Sequence, residues 1–430
     1  MSIPNSILII GSGEFGLTTA LSLTLRPSLS STSITVLDRL PFPATDGSSI
    51  DSSRIIRPDY SDAAYARLAY EAQTVWRGCD PAHPLHGIGN EGRYSECGLV
   101  MTAAAEGAEY VDRSFATVST LGVGCELELL CGEEDVRRVC RTGGVLGVRG
   151  YVNWTSGWAE AEDSVKFLRR VVEGTGRVRF ETAEVERVVE EDGRVVGVVL
   201  KGGGERRAEL TVLATGAWTP GLVDLAGRSV ATGQTLGYLR LSPEEWETTV
   251  KDMPVVFNLS TGIFAIPEHN HVLKIARHCA GYLNPTTRTD PETGEQRTFS
   301  TPRTAVTNPG LQIPAEAEAA FRTGLRELLP QFAERELEKT RLCWYNDTST
   351  GDFIVTHHPS KPGLFLATGG SGHAFKFLPV IGEHIVDILL GHPEARFAKK
   401  WAWPEKVVEA VAKVVTKDGS RVDAAQMVLE

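Results

Sequence analysis

Apolar residues concentrate at 6–10 (SILII), at 17–25 and at 33–38 (SITVLD), with glycines between the first two runs. The outer runs predict short buried strands and the middle one a helix, so the chain opens as a βαβ unit. Apolar positions recur at helical spacing over 64–78 and over 157–174, and the second of these reads as an amphipathic helix. Residues 94–102, 122–131 and 144–153 predict strands or irregular segments of a second region. Two alternating runs flank Glu190-Glu191-Asp192-Gly193-Arg194, a hairpin signal, and lead to the buried run 210–214. Short β-like stretches at 236–241, 254–258, 263–266 and 271–276 precede a polar loop, 283–310, and helical runs at 314–329 and 332–339. A strand at 362–368, a helix at 380–391 and a loose polar tail from 415 complete the pattern.

A chain of 430 residues exceeds one ordinary core, so two interleaved domains are expected. The net charge of −11 argues against a nucleic-acid or anionic-membrane partner, and no apolar run reaches the roughly 20 residues of a membrane span. The N-terminal apolar run has no basic side chain before Arg26 and reads as structure, not as a secretion signal; the C-terminal MVLE is no SKL-type address. Seven cysteines without a CxxC pair fit a reducing, cytoplasmic setting. His269-Asn270-His271 and His357-His358 lack a third ligand at useful spacing, so no metal site is expected.

Between the first strand and helix stands Gly11-Ser12-Gly13-Glu14-Phe15-Gly16. Its glycines allow a tight turn, backbone approach to a pyrophosphate, and close helix–strand packing, while the helix N-terminus favours the phosphates. Asp38 closes the second strand, where a carboxylate takes the ribose hydroxyls of a dinucleotide. Arg39 follows, but Asp38 itself disfavours a 2′-phosphate. Ala214-Thr215-Gly216-Ala217-Trp218 ends the buried run with the small-residue turn of a strand returning to a nucleotide domain, and Val185 opens the preceding hairpin.

Four further segments then line up: Ser53-Arg54-Ile55-Ile56-Arg57, Val272-Leu273-Lys274-Ile275, Cys343-Trp344-Tyr345-Asn346-Asp347-Thr348, and Gly370-Ser371-Gly372-His373-Ala374-Phe375-Lys376-Phe377. With the fingerprint they resemble the monomeric sarcosine oxidase family, in its fungal branch of pipecolate/saccharopine oxidases and fructosyl amino acid oxidases. The resemblance spans about 6–405. It implies a D-amino-acid-oxidase-like fold of α/β plus α+β type: a Rossmann-like FAD domain (1–85, 150–228, 340–405) interleaved with a mixed or antiparallel substrate domain (86–149, 229–339) and a tail, 406–430.

The same resemblance implies FAD joined by a thioether to Cys343, with Cys279 a poorer alternative. It implies Lys274 as the cation beside the site of oxygen reduction, and Arg57 with Lys376 as the clamp on a substrate carboxylate. Arg54 and Ser53 serve the flavin side, as do Gly370, Gly372, His373 and Lys376. The implied activity is oxidation of a secondary amine, with hydride transfer to flavin N5, an imine product and hydrogen peroxide from molecular oxygen, in a monomer. Asp51-Ser52-Ser53 departs from both the histidine-bearing bacterial loop and the usual fructosyl amino acid oxidase version. Alternatives are a fructosyl amino acid oxidase, a biosynthetic amine oxidase of a secondary metabolite, and an FAD dehydrogenase that shuns oxygen.

Overall fold

The computed structural model describes residues 3–105, 108–122, 126–289, 294–408 and 427–429. Its first sheet is built on the βαβ opening. Strand Ser6–Ile10 lies between Ser33–Asp38 and Leu210–Leu213, parallel to both. Val178–Thr182 extends one side, and Leu364–Thr368 and the antiparallel Ile354–His357 extend the other. The central strands Ser6–Ile10, Leu210–Leu213 and Leu364–Thr368 are mostly apolar because both faces are covered, whereas the edge strand Val178–Thr182 is only partly buried. Helices Glu14–Thr24 and Leu378–Leu389 pack together on one face, and the hairpin Val185–Glu191/Arg194–Leu200 contributes to the core on the other. Gly16 permits the first helix to seat: a β-carbon there would stand 1.9 Å from the carbonyl oxygen of Gly11.

The second sheet runs in the order Lys339–Thr348, Ser229–Arg240, Val272–Leu283, Ile263–Glu268, Val255–Asn258, Leu99–Ala103, Arg149–Asn153, Leu127–Leu130. One face packs on helix Ala315–Leu328 through Ile263, Phe321, Leu325 and Trp344. The other faces the nucleotide sheet. Strands Arg149–Asn153 and Lys339–Thr348 pair within this second sheet. The result is a mixed α/β architecture with an α/β nucleotide unit and a largely antiparallel roof.

Three local expectations are corrected. Residues 157–160 are a strand pairing with Ser53–Ile56, and the helix begins only at Ala161, because Gly157 to Glu160 give their backbone bonds to that ladder. Within the expected loop 283–310 lies a hairpin, Pro285–Thr289 against Gln296–Ser300, whose polar faces include a Thr287–Thr298 hydroxyl contact at 2.8 Å. Residues 333–339 are not helical. A short 3-10 turn at Pro330–Phe332 is followed by turns and bends, where Arg335 engages both carboxylate oxygens of Glu245 and the Glu338 amide bonds the Tyr238 carbonyl. Most of the tail expected to be loose lies outside the described residues, though Met427–Val428 pairs parallel with Val272–Leu283.

Candidate active site

A cleft of about 320 Å³ follows the edge of the nucleotide sheet into the gap beneath the roof. Gly11, Ser12, Gly13, Glu14 and Phe15 line it at the first strand–helix turn, Asp38 and Arg39 at the end of the second strand, and Val185, Ala214, Thr215, Gly216 and Trp218 beyond. Gly370, Gly372 and His373 line its inner part with Arg54 and Tyr345. Gly16 acts beneath the turn rather than on the wall. The Asp38 carboxylate accepts from the Ser12 amide and hydroxyl at 2.6 and 2.7 Å. The Arg39 guanidinium carbon stands over the Trp218 ring, 4.2 Å from its centroid, and the side chain pairs with Asp46.

A smaller inner cavity of about 60 Å³ shares Arg54, Tyr345, Gly372, His373 and Phe375 with the cleft. Ser53, Arg57, Lys274 and Lys376 line it, against Leu236, Phe257, Phe264, Ile266 and His278. Gly372 lets these walls meet: its φ is +70°, and a β-carbon would approach Tyr345 to 2.4 Å.

Lys274 is 1% exposed. Its ammonium donates to Asp51 Oδ2 at 2.7 Å and to the Ser53 carbonyl at 3.0 Å, and stands 3.8 Å from Glu268. Burial pulls its pKa below the ordinary lysine value, against the opposing pull of Asp51 and Glu268. Asp51 is a hub. Arg54 bonds it, Arg341 stands 3.8 Å away, and the Tyr238 hydroxyl donates to it at 2.5 Å. Burial alone would raise its pKa, but Lys274, Arg54 and Arg341 together hold it well below the usual carboxylate range.

Asp51→Asn leaves these buried cations without their shared anion. Loss of about 3–5 kcal/mol of stability is expected, read by urea denaturation near neutrality. The folded pKa lies below the unfolded one, so the contribution is complete above the unfolded carboxylate value. It is lost as pH falls through the folded value, and the gap between wild type and variant narrows in acid.

Arg57 is 2% exposed. It donates to the Asp59 carbonyl and stands over the Tyr60 ring at 4.9 Å. Asp59 is itself fixed by Tyr151, Asn153 and Ser156, which donate to its carboxylate at 2.9, 3.0 and 2.7 Å. Lys376 donates to the Tyr60 hydroxyl at 2.9 Å and to the His373 carbonyl at 2.7 Å. His373 Nε2 faces the Gly351 carbonyl at 2.8 Å, an acceptor only, so that nitrogen carries the proton. Nδ1 therefore accepts from Tyr60 at 3.0 Å, and a directed chain runs Lys376, Tyr60, His373.

Cys343 is buried and lies on the wall of neither cavity. Its Sγ sits 3.6 Å from Arg54 Nη2, on the strand face shared with Arg341 and the cleft residue Tyr345. Cys279 is buried beside Gln234, and burial raises its thiol. Sequence reasoning missed Asp51 as a hub, together with Tyr60, Asp59, Glu268, His278 and Arg341. Asp51, Asp59, Tyr60 and Arg341 had a local signal, each within three residues of Ser53, Arg57 or Cys343.

The residues present fit FAD. A glycine turn at a helix N-terminus, an acid at the adjacent strand end, and a cleft continuous with a cation-lined inner cavity match its pyrophosphate, ribose and ring in order. This is the site of a flavin-dependent oxidoreductase. The chain belongs to the family described as FAD dependent oxidoreductase (DAO), whose model matches residues 6–388. It is 32% identical to amino acid oxidase fsqB of Aspergillus fumigatus, over 91% of this chain and 93% of that protein. It is 28% identical to L-saccharopine oxidase of Schizosaccharomyces pombe, over 93% of each. Among solved structures it resembles fructosamine oxidase (Amadoriase II) of Aspergillus fumigatus, with TM-score 0.81, 27% identity, and coverage of 100% of this chain and 96% of that one.

Proposed function

We propose that the chain oxidises a secondary-amine amino acid, N-alkylated or cyclic, with Arg57 and Lys376 as the clamp on its carboxylate. The observation that carries this reading is the pair of buried cations at the inner cavity, each fixed by its own hydrogen-bonded support. Two fixed cations orient a carboxylate, and with it the adjacent C–H, in one pose. Bound FAD supplies the two-electron acceptor that none of the side chains can provide.

The chain's own groups do the rest. Phe257, Phe264, Ile266 and Leu236 exclude water from the reacting carbon and accept an apolar side chain. This wall offers few partners to a sugar, which favours the amino acid reading over a fructosyl one. Tyr60 and His373 keep the Lys376 ammonium aimed. Lys274, held by Asp51, places a positive charge where oxygen would gain negative charge.

A panel of N-methyl and cyclic amino acids, together with saccharopine and fructosyl amino acids, tests the reading through peroxide release. Activity with the first group and little with the last is expected. Preference for fructosyl amino acids would reverse the assignment. The thioether to Cys343 is part of the same proposal, supported by the place of its sulfur beside Arg54, a residue that lines both cavities. Yellow colour should stay with acid-precipitated wild type and leave the Cys343→Ala pellet completely; colour leaving both pellets would remove Cys343 from that role.

A further inference from the structure

The ribbon Pro285–Thr289/Gln296–Ser300 lies along the dinucleotide cleft. Thr286 and Arg288 line the cleft, and Thr287 between them turns to the opposite face, where it meets Thr298, as strand alternation requires. The base of the ribbon is anchored. Asn284 Nδ2 donates to the Thr301 carbonyl at 3.0 Å, the Thr304 hydroxyl to Asp46 Oδ2 at 2.9 Å, and the Trp344 indole to the Arg303 carbonyl at 2.8 Å. Phe299 packs on Gly221, where a β-carbon would stand 3.4 Å from its ring. Arg288 donates to the Gly221 carbonyl at 3.3 Å. It is thus held beside the turn after Trp218, on the wall shared with Asp38 and Arg39.

Directly opposite Arg288 in the ladder stands Arg297. Like charges facing each other across a ladder are destabilising. Their guanidinium carbons lie 5.7 and 4.7 Å from the centroid of the Phe299 ring. Arg297 has Asp224 at 3.6 Å, whereas no ion pair among the described residues engages Arg288, and its side chain is exposed to the cleft. The other arginines of the wall are matched, Arg39 by Asp46 and Arg54 by Asp51. Arg288 is therefore an unneutralised cation, set against a second one, on the wall of a dinucleotide cleft in a chain of net charge −11. An anion bound in the cleft makes that arrangement favourable.

We propose that Arg288 is the cation that binds the pyrophosphate of FAD, presented to the cleft by the ribbon. The inference rests on the FAD reading above and adds a residue to it that no glycine fingerprint contains. The turn Gly11–Gly13 and the helix N-terminus offer amide hydrogens and a partial charge, and Arg288 supplies the full charge they lack. The ribbon then closes part of the cofactor site, and its cross-strand arginine pair is stable only with the phosphates in place.

The test is made in the full chain carrying Cys343→Ala, so that flavin can exchange, and FAD affinity is read by flavin fluorescence. Adding Arg288→Ala should raise the dissociation constant about tenfold or more, and Arg288→Lys less than about threefold. The gap between Arg288→Ala and its parent should narrow as sodium chloride rises from about 0.05 to about 0.5 M, because the lost contact is ionic. Thr287→Ala, on the other face of the same strand, should stay within about twofold of the parent. The urea midpoint of the flavin-free chain should not fall in Arg288→Ala, since the change relieves the repulsion from Arg297. With Cys343 intact, the FAD concentration that half-reconstitutes flavin-free protein should move by the same factor. An affinity that Arg288→Ala leaves within twofold, a loss that salt does not narrow, or an equal loss in Thr287→Ala would overturn the proposal. A wild type that carries no flavin and binds none would instead overturn the FAD reading itself.

Discussion

Lys376→Met lowers kcat/KM for the amino-acid substrate about a thousandfold. The ammonium is buried at the inner cavity, and its bonds to Tyr60 and to the His373 carbonyl hold it in one direction. Removing one partner of a buried, hydrogen-bonded charge pair costs about 2–5 kcal/mol, and each 1.4 kcal/mol is a tenfold rate factor. The loss should fall on both kcat and KM, because a carboxylate held by Arg57 alone can pivot and carry its C–H away from the productive pose. Two controls separate this from a folding defect. Flavin content and the urea midpoint should stay close to wild type. An amine that lacks the carboxylate, a poor substrate of the wild type, should be affected less than about tenfold. Tyr60→Phe is the milder companion: it breaks the relay from Lys376 to His373 while leaving the cation in place.

Lys274→Met separates the two halves of the reaction. Reduction by substrate should change less than about threefold, while reoxidation by oxygen slows about 10²- to 10³-fold, as when one preorganised group is removed from a site of developing charge. Burial tends to neutralise Lys274, and Asp51 and Glu268 oppose that tendency. Their contacts at 2.7 and 3.8 Å are therefore part of the device. Stopped-flow mixing of the reduced protein with oxygen reads the rate directly. An unchanged oxygen rate in Lys274→Met would place the electron acceptor elsewhere and favour a dehydrogenase.

The parts of this site that were legible in the sequence are those written in contiguous residues. The fingerprint from Gly11 to Gly16 and the acid Asp38 lie one helix apart, so spacing alone places them at one sheet edge. Arg54 with Arg57, and Gly372 with Lys376, were found because short motifs carry them. What stayed hidden was assembled across the chain. Asp51 meets Lys274 and Arg341 only when the 47–53 loop is pressed against two strands of the roof. Asp59 meets Tyr151, Asn153 and Ser156 some hundred positions later. The hairpin over 285–300 went unseen because threonines and arginines on a solvated ribbon carry no apolar alternation. The run 332–339 had helical composition, but the Arg335–Glu245 pairing and the backbone bond of Glu338 to Tyr238 hold it in turns that lead into a roof strand.

The two cavities together are proposed to hold FAD and an amino acid whose secondary amine is oxidised. The most direct measurement mixes the purified, loaded protein with an N-methyl or cyclic amino acid in the absence of oxygen and follows the visible flavin absorbance. The flavin should bleach at a rate that saturates with substrate and falls about a thousandfold in Lys376→Met, and its colour should return with stoichiometric peroxide when oxygen is admitted. A flavin that stays yellow with every secondary-amine amino acid but bleaches with an amine lacking a carboxylate would contradict the proposed function.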